Sequence, residues 1–422
     1  MPQKDLARRA VVTGLGAVTP IGNDHATFWK NLIAGVSGVG PITRFDPTGF
    51  DVRIAAEVKD FDPTIAMDRK MARRMSRFIH FAMAVGKEAV ADSGLNFSEW
   101  SPEQRDRVAV VVNSAGGGIE EIVIGNDVLR VKGPGQVSPF AYPALSASMG
   151  GCLISIEYGL TGPVINQSAA CATSIMSFID GLRMIQRGEV DVVLAGGTEA
   201  PLLPVGFAAL ANMHALSKRN DDPERASRPF DRDRDGFVYG EGAGIVVLES
   251  AEHALARGAT IQAELIGVAT TSDAFHISAP DPAGRGAMMA MTRAMQDGGV
   301  APDEIDYIAA HGTSTSLNDA TETRAIKAAF GGHAHKVAIS SPKSMVGHTI
   351  GAAGVVNALA AIGAIREGVI APTINLDNPD LPELDLDYVP KVARHAKVDT
   401  AMINGFGFGG QNAVAVFRRF EA

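Results

Sequence analysis

Cysteine is nearly absent from this chain of 422 residues. Cys152 and Cys171 are its two thiols, which excludes a disulfide scaffold and a cysteine-rich zinc site. No P-loop, H-E-x-x-H or paired C-x-x-C pattern occurs. Basic charge is not in excess either. The 38 Lys and Arg against 47 Asp and Glu leave a formal charge of −9, which argues against a general nucleic-acid surface. Aromatic residues make up only 6% and low-complexity linkers are missing. What is present is a hydrophobic content of 46%, enough for a sizeable core, and 46 Gly for tight turns and close backbone approaches.

Two stretches imitate membrane or export signals. A basic start precedes the apolar stretch Val11 to Ile21, but Gly14, Gly16 and Pro20 interrupt it, and it reads as a first strand and its turn. The uncharged run Met345 to Ile365 is long enough to span a bilayer. It carries His348 and Asn357, and it reads as a buried core helix. The expectation is a cytoplasmic protein without membrane or nucleic-acid partners.

Short Val/Ile-rich runs alternate with Ala-rich helical segments, the signature of an α/β fold with buried strands. The strands expected are 108–112, 164–166, 190–195, 244–248, 261–268, 305–310, 337–340, 401–404 and 413–417. The charged stretch Ser217–Arg234 reads as a surface loop. A composition shift near Glu252–Thr260 divides the chain into residues 1–258 and 259–422. Two hints relate these halves. Residues 190–198 resemble 305–313, a likeness short enough to arise by chance. Residues 164–166 and 337–340 each lead into a helix, one starting near Cys171 and the other near His348.

Cys171 follows a strand end and precedes an apolar helix that closes at Gly188. A thiol there sees the positive end of the helix dipole, which favours thiolate, and free backbone N–H groups that suit an oxyanion. The position also fits a small buried core cysteine. Cys152 lacks this setting and reads as core. His311 and His348 each follow a strand, where open α/β sheets place their sites. Asp319 and Glu322 have capping-box spacing, and Lys343, beside Pro342 in a loop, reads by default as solvated.

Gly405, Gly407 and Gly410 form a literal G-x-G-x-x-G, but a strand follows where a dinucleotide site needs a helix. The stretch reads instead as a tight loop presenting backbone N–H groups, Phe406 and Phe408 to a ligand. An ordinary hairpin turn is the alternative, though it needs fewer glycines. A Cys nucleophile, two histidines and no metal motif suit acyl transfer through a thioester. The residues alone do not name the acyl group.

Five motifs carry a resemblance that covers nearly the whole chain. They are Ala170-Cys171-Ala172-Thr173-Ser174, the segment from Pro229-Phe230-Asp231 to Gly244, His311-Gly312-Thr313-Ser314-Thr315, Lys343 to His348, and Gly407-Phe408-Gly409-Gly410. With these the chain resembles the β-ketoacyl-(acyl-carrier-protein) synthases, in particular the type II elongating condensing enzymes. The resemblance implies a thiolase-like α/β fold, two similar halves in α-β-α-β-α layers, in a homodimer. It implies that Cys171 accepts the acyl chain from acyl-carrier protein, with the N–H groups of Cys171 and Phe408 as oxyanion hole. His311 and His348 would promote decarboxylation of malonyl-carrier protein, supported by Lys343 and Glu322. Thr313 and Thr315 would hold the phosphopantetheine arm, which arrives on the carrier protein, so no resident cofactor or metal is expected. Phe408 would be a gate, with Phe406 beside it at the substrate.

Relatives of this fold separate on the same pattern. Thiolases use a second, late Cys, and none follows Cys171; initiating synthases replace the second His by Asn. Gly116 falls where the acyl-pocket wall is often a bulky Ile. Lys70, Arg73 and Arg74 supply a basic cluster where the family docks carrier protein, and they would share one face if their segment is helical. A polyketide-type ketosynthase and a non-catalytic partner subunit are the alternatives.

Overall fold

The computed structural model describes residues 6–421. Ten strands carry the architecture: β1 (Ala10–Val18), β2 (Val108–Asn113), β3 (Val164–Ile165), β4 (Val192–Glu199), β5 (Gly242–Ser250), β6 (Ala263–Ser272), β7 (Tyr307–Ala309), β8 (Ala338–Ser340), β9 (Thr400–Gly407) and β10 (Gln411–Arg418). They pair in the order β8-β7-β9-β10-β6-β1-β5-β4-β2-β3. Counted within its own half, each set of five runs third, second, fourth, fifth, first. In both halves the second strand pairs parallel with the third and fourth, and the fifth is antiparallel to its neighbours. The halves join where β1 meets β6 antiparallel, Ala10 opposite Leu265.

This topology sorts the two hints of internal likeness. Residues 164–166 and 337–340 are the third strand of each half, β3 and β8, so the helices that follow them are equivalent. The matching peptides 190–198 and 305–313 fall on β4 and β7, a fourth and a second strand. That likeness is strand-plus-turn chemistry without structural equivalence.

Eight helices matter here: α1 (Arg77–Ser93), α2 (Ile119–Lys132), α3 (Met149–Tyr158), α4 (Thr173–Gln186), α5 (Pro204–Asn212), α6 (Arg285–Gly298), α7 (Ser316–Phe330) and α8 (Ala353–Glu367). The strands read as unbroken apolar runs because both faces are covered. On β2, Ala109 and Val111 face the central core with α4 and α8, while Val108, Val110 and Val112 face α1. On β10, Ala413, Ala415 and Phe417 face the central core, while Val414 and Val416 face α6 and α7. The result is five layers, helices outside each half-sheet and α4 with α8 between them. The apolar run 345–365 ends in α8, of which 13 of 15 residues are buried. Asn357, its one polar side chain inside the core, donates to the carbonyls of Ala309, Ala310 and Asn404 at 3.2, 2.9 and 3.2 Å.

Residues 217–234 depart from the expected surface loop. Ser217 and the run from Ala226 to Asp231 are buried. Asp231 accepts N–H bonds from Asp233, Asp377 and Asn378 at 2.8, 2.8 and 2.7 Å, and Arg228 Nε lies 3.0 Å from it. Partners at 377–380, distant in the chain, turn these charges inward, and Arg234 pairs with Asp380 at 2.8 Å.

Candidate active site

Cys171 lies in a 3₁₀ turn, Ala170–Ala172, which runs into α4 at Thr173. Ala170, just before it, has φ +48°, in the left-handed region that costs a residue with a Cβ on the order of 1 kcal/mol or more. The turn is fastened by Thr173, whose hydroxyl donates to Ala170 O at 2.6 Å and accepts from Ala169 N–H at 2.9 Å. The backbone N–H groups of Phe408 and of Cys171 itself are aimed at the sulfur. The loop of Phe408 can come this close because Gly407 has no Cβ. One built there would lie 2.6 Å from Ala169 O and 3.1 Å from Cys171 N.

The Gly/Phe stretch therefore satisfies both readings of its sequence. It is a hairpin, Gly407 paired with Gln411, whose turn uses left-handed Gly409 and Gly410 (φ +80° and +73°). Gly405 and Gly407 serve the approach to the nucleophile.

His348 comes from the other half, after β8 and one helical turn, Lys343–Val346. Its backbone is pinned on both sides: its N–H donates to Val238 O at 2.7 Å and its carbonyl accepts from Gly240 N–H at 3.0 Å. Its Nε2 lies 3.0 Å from Cys171 Sγ, and its Nδ1 accepts the N–H of Ile350 at 3.2 Å. An Nδ1 that accepts carries no proton, so in the neutral ring Nε2 bears the hydrogen and donates toward the sulfur. His311 stands edge-on to His348, ring centroids 5.5 Å apart, with Phe406 at 5.6 Å on its other side.

Glu322 positions His311 through the backbone. Its two oxygens accept the N–H groups of His311 and Gly312 at 2.8 and 2.7 Å, and Asn404 Nδ2 donates to it at 3.0 Å. Asp319 accepts from Thr313 N–H at 3.0 Å and Phe230 N–H at 2.8 Å. The expected capping box at Asp319 and Glu322 is thus replaced. Thr315 is the N-cap of α7, accepting from Asn318 N–H, and frees both acids for the loop before it.

Lys343 is buried rather than solvated, 3% exposed, and its Nζ has no hydrogen-bond partner among the described residues. It makes no direct bond to Glu322, whose oxygens are taken. Burial lowers its pKa to about 8, against the pull of Glu322 and Cys171. Burial likewise holds His311 and His348 well below their usual value, with Lys343 adding to both shifts, so both rings are neutral at pH 7. The Cys171 thiol is pushed up to about 11 by burial, which outweighs Lys343 and the N–H of Phe408. The local dipole argument for a thiolate is overridden by desolvation, and the resting nucleophile is a thiol.

A cavity of about 460 Å³ opens on these groups. Cys171, His311, His348, Thr313, Thr315, Phe406 and Phe408 line it, with Phe408 at the mouth and 38% exposed. Phe237, from the motif segment Pro229 to Gly244, stands edge-on to His348 at 5.2 Å. Gly116 does not line the cavity. It is exposed, with its N–H held by Glu199 at 3.1 Å. Cys152 is half-buried on α3. Lys70, Arg73 and Arg74 do not share a helix face, because their helix ends at Ala72. Lys70 and Arg73 are exposed, and the Arg74 guanidinium lies over the Phe140 ring at 4.2 Å.

The ligand atoms of Cys171, His311 and His348 all lie within 4.8 Å of one another, a spacing that also suits a metal ion. The surroundings do not. A metal-bound His donates its second N–H outward, whereas His348 Nδ1 accepts one, and buried Lys343 adds positive charge. The donor set fits nucleophilic acyl transfer instead.

Comparisons with known proteins converge on one family. The family model for the β-ketoacyl synthase N-terminal domain matches residues 7–254, and that for the C-terminal domain matches 262–377. The 3-oxoacyl-[acyl-carrier-protein] synthase 2 of Synechocystis sp. is 48% identical over 414 residues, covering 98% of this chain and 99% of the relative. That of Coxiella burnetii is 48% identical over 412 residues with the same coverage. Among solved structures, the ishigamide ketosynthase/chain length factor superposes with a TM-score of 0.91 at 36% identity, over 98% of this chain and all of that one. A type II PKS acyl-carrier protein in complex with its ketosynthase gives 0.88 at 33%, with the same coverage.

A buried thiol with a raised pKa makes a prediction about reactivity. Alkylation of Cys171 by iodoacetamide, followed by peptide mass spectrometry, should accelerate about tenfold per pH unit from roughly pH 7 to 10. A rate that is flat over this range would mean a thiolate already formed at neutral pH.

Proposed function

The chain belongs to the β-ketoacyl synthase family, and from its site we propose that it extends acyl chains by decarboxylative condensation of acyl-Cys171 with a malonyl group on acyl-carrier protein. The observation that carries this reading is the meeting of one thiol, two neutral imidazoles and two converging N–H groups at one cavity. The relatives named 3-oxoacyl-[acyl-carrier-protein] synthase 2 are 46–48% identical, against 33% for the type II PKS ketosynthase, which favours fatty-acid elongation over polyketide assembly. A non-catalytic partner subunit would have no use for the Cys171–His348 contact.

In the first half-reaction, Cys171 sulfur attacks the acyl thioester carbonyl. The N–H groups of Cys171 and Phe408 hold the oxyanion, the carbon–sulfur bond to the carrier breaks, and the departing thiolate takes up the thiol proton. In the second, the malonyl carboxylate leaves as CO₂ and its bonding pair forms an enolate. His348 Nε2–H and His311 donate to the enolate oxygen without giving up a proton. The nucleophilic carbon then attacks acyl-Cys171, and Cys171 sulfur leaves as a thiolate that takes a proton from water, its original proton having departed with the carrier thiol. Every group used is a side chain, a backbone N–H or the arm of the carrier protein, so no resident cofactor enters. Lys343, outside the cavity lining, acts as a buried positive charge behind these groups, and Glu322 as the support of His311.

Carrier protein is acidic in this reading, and the enzyme carries −9, so a local basic patch must steer the encounter. Lys70 and Arg73 supply it, and Arg74 contributes from its perch on Phe140. A second copy of the chain covers α2. No side chain of that helix is buried, and Ile124 and Val131 are 56% and 81% exposed, with Tyr142 at 81% nearby. Among the described residues, the edge strand β3 is also unpaired on its outer side.

Three measurements test the parts. His311→Ala and His348→Ala should slow malonyl decarboxylation by about 10²-fold or more while acyl loading of Cys171 persists; normal decarboxylation with failed loading would reverse the roles. Charge reversal by Lys70→Glu with Arg73→Glu should raise KM for carrier-protein substrates roughly three- to tenfold. It should leave a small acyl thioester unaffected, and unchanged carrier kinetics would move the docking surface elsewhere. Light scattering should give twice the chain mass of 44.1 kDa, and a single-chain mass would remove the dimer.

A further inference from the structure

Glu199 has no part in the steps above, yet it is buried between the two halves beside the reactive groups. It ends β4, is 1% exposed, and ties together two loops. One oxygen accepts the N–H of Ala115 at 2.8 Å and of Gly351 at 3.1 Å. The other accepts Ser114 Oγ–H at 3.0 Å and Gly116 N–H at 3.1 Å. Ala115 and Gly116 follow β2 in the first half. Gly351 lies in the 3₁₀ turn Ile350–Ala352 that follows His348 in the second.

That turn is strained at the residue that matters. Ile350, β-branched, has φ +47°, a conformation that persists only where the surroundings impose it. Its N–H is the one that His348 Nδ1 accepts. The next N–H, Gly351, is held by Glu199, and a Cβ at Gly351 would fall 2.2 Å from the Glu199 oxygen and 2.9 Å from Ala115 N. The fit is therefore specific to this pair. The charge also acts against the nucleophile, since Glu199 raises the thiol pKa of Cys171, and burial lifts Glu199 itself to about 7. A carboxylate kept here despite opposing ionisation of the thiol has a use elsewhere.

We infer that Glu199 is a positioning residue for His348: by clamping the Ile350–Gly351 turn across the two halves, it fixes the ring tautomer that presents Nε2–H to the reacting atoms. Without the clamp the turn relaxes, Ile350 N–H leaves Nδ1, and the ring is free to place its proton on either nitrogen. The inference rests on the reading of His348 as donor to the enolate, but the tautomer can be measured without turnover.

The test uses the full-length protein with ¹⁵N-labelled histidine, the His348 signals identified by their loss in His348→Ala. Wild type should show a protonated Nε2 and an accepting Nδ1. In Glu199→Ala these ¹⁵N shifts should move toward a mixture of tautomers. Malonyl decarboxylation kcat should fall at least about tenfold, KM should change less than about threefold, and acyl loading of Cys171 should be retained. Glu199→Gln keeps an oxygen toward Ala115 and Gly351 if its amide nitrogen turns to Ser114 Oγ, losing only the acceptor of Gly116 N–H, which is remote from the Ile350–Gly351 turn, and it should restore most of the activity and the wild-type tautomer. Gly351→Ala, which crowds the same contact, should reproduce the Glu199→Ala phenotype and keeps the test alive if Glu199→Ala does not fold. A pure Nε2–H tautomer in a folded Glu199→Ala or Gly351→Ala variant would overturn the clamp, as would equal loss of loading and decarboxylation. Normal decarboxylation in His348→Ala would instead sink the donor reading and leave the tautomer result to judge the clamp.

Discussion

The close approach of α4 to α8 is the contact on which the site depends. Cys171 enters from the turn before α4 and His348 from the loop before α8, so the two reach 3.0 Å only if the helix starts pack almost backbone to backbone. Small residues allow it. A Cβ on Gly354 would sit 2.4 Å from Ile175 Cγ1 and 2.9 Å from Ser174 Oγ, and one on Gly197 would sit 2.6 Å from Ser174 Cβ. Ser174 Oγ then accepts the N–H of Val355 at 2.9 Å, so the first turn of each helix is stitched to the other. Duplicated topology supplies the rest: the third strand of each half delivers a helix start to the same central layer, one with the nucleophile and one with the donor.

Burial at this junction sets the chemistry more than local dipoles do. Desolvation penalises whichever form is charged, so it raises Cys171, lowers both histidines and lowers Lys343. The shared outcome is a site of neutral donors around a protonated thiol. A thiolate–imidazolium pair would be a good base–nucleophile couple but a poor receptacle for an enolate. Two neutral N–H donors stabilise developing negative charge without transferring a proton that would quench the carbon nucleophile. Lys343, buried and outside the cavity lining, supplies the cationic influence on Cys171, His311 and His348.

Legibility in the sequence follows the range of the forces involved. Cys171, His311 and His348 stood out because a strand end and a following turn or helix are written within a few neighbouring residues. The buried strands are readable as apolar runs for the same reason, and their order is not, since β1 meets β6 by pairing Ala10 with Leu265, from opposite halves of the chain. Lys343 reads as solvated because nothing within the loop announces that the fold buries it. Asp319 and Glu322 have the same spacing whether they cap a helix or hold a neighbouring loop. Thr315 takes the cap, and the N–H groups of His311, Gly312 and Thr313 become the partners. Glu199 left a trace, an acid at the end of a buried strand, but its partners come from residues 114–116 and 351 and appear only in the fold.

Backbone strain explains why polar motifs surround chemistry that they never touch. Ala170, Ser314 and Ile350 all have positive φ, at +48°, +68° and +47°, and each lies within three residues of Cys171, His311 or His348. Each such residue costs of order 1–3 kcal/mol, so each needs hydrogen bonds that no relaxed conformer could keep. Thr173 holds Ala170, and Arg228 N–H and Gly236 N–H hold Ser314 by its hydroxyl and carbonyl at 3.0 and 3.1 Å. His348 Nδ1 holds Ile350 directly, with Gly351 anchored next to it. The conspicuous segment Pro229 to Gly236 is then a brace for the loop that carries His311. Asp231 locks it to residues 377 and 378, and left-handed Phe230 stacks on Tyr388 at 4.0 Å. A motif can therefore be as specific as a catalytic residue without meeting substrate, because what it specifies is a backbone shape that the sequence would not otherwise adopt.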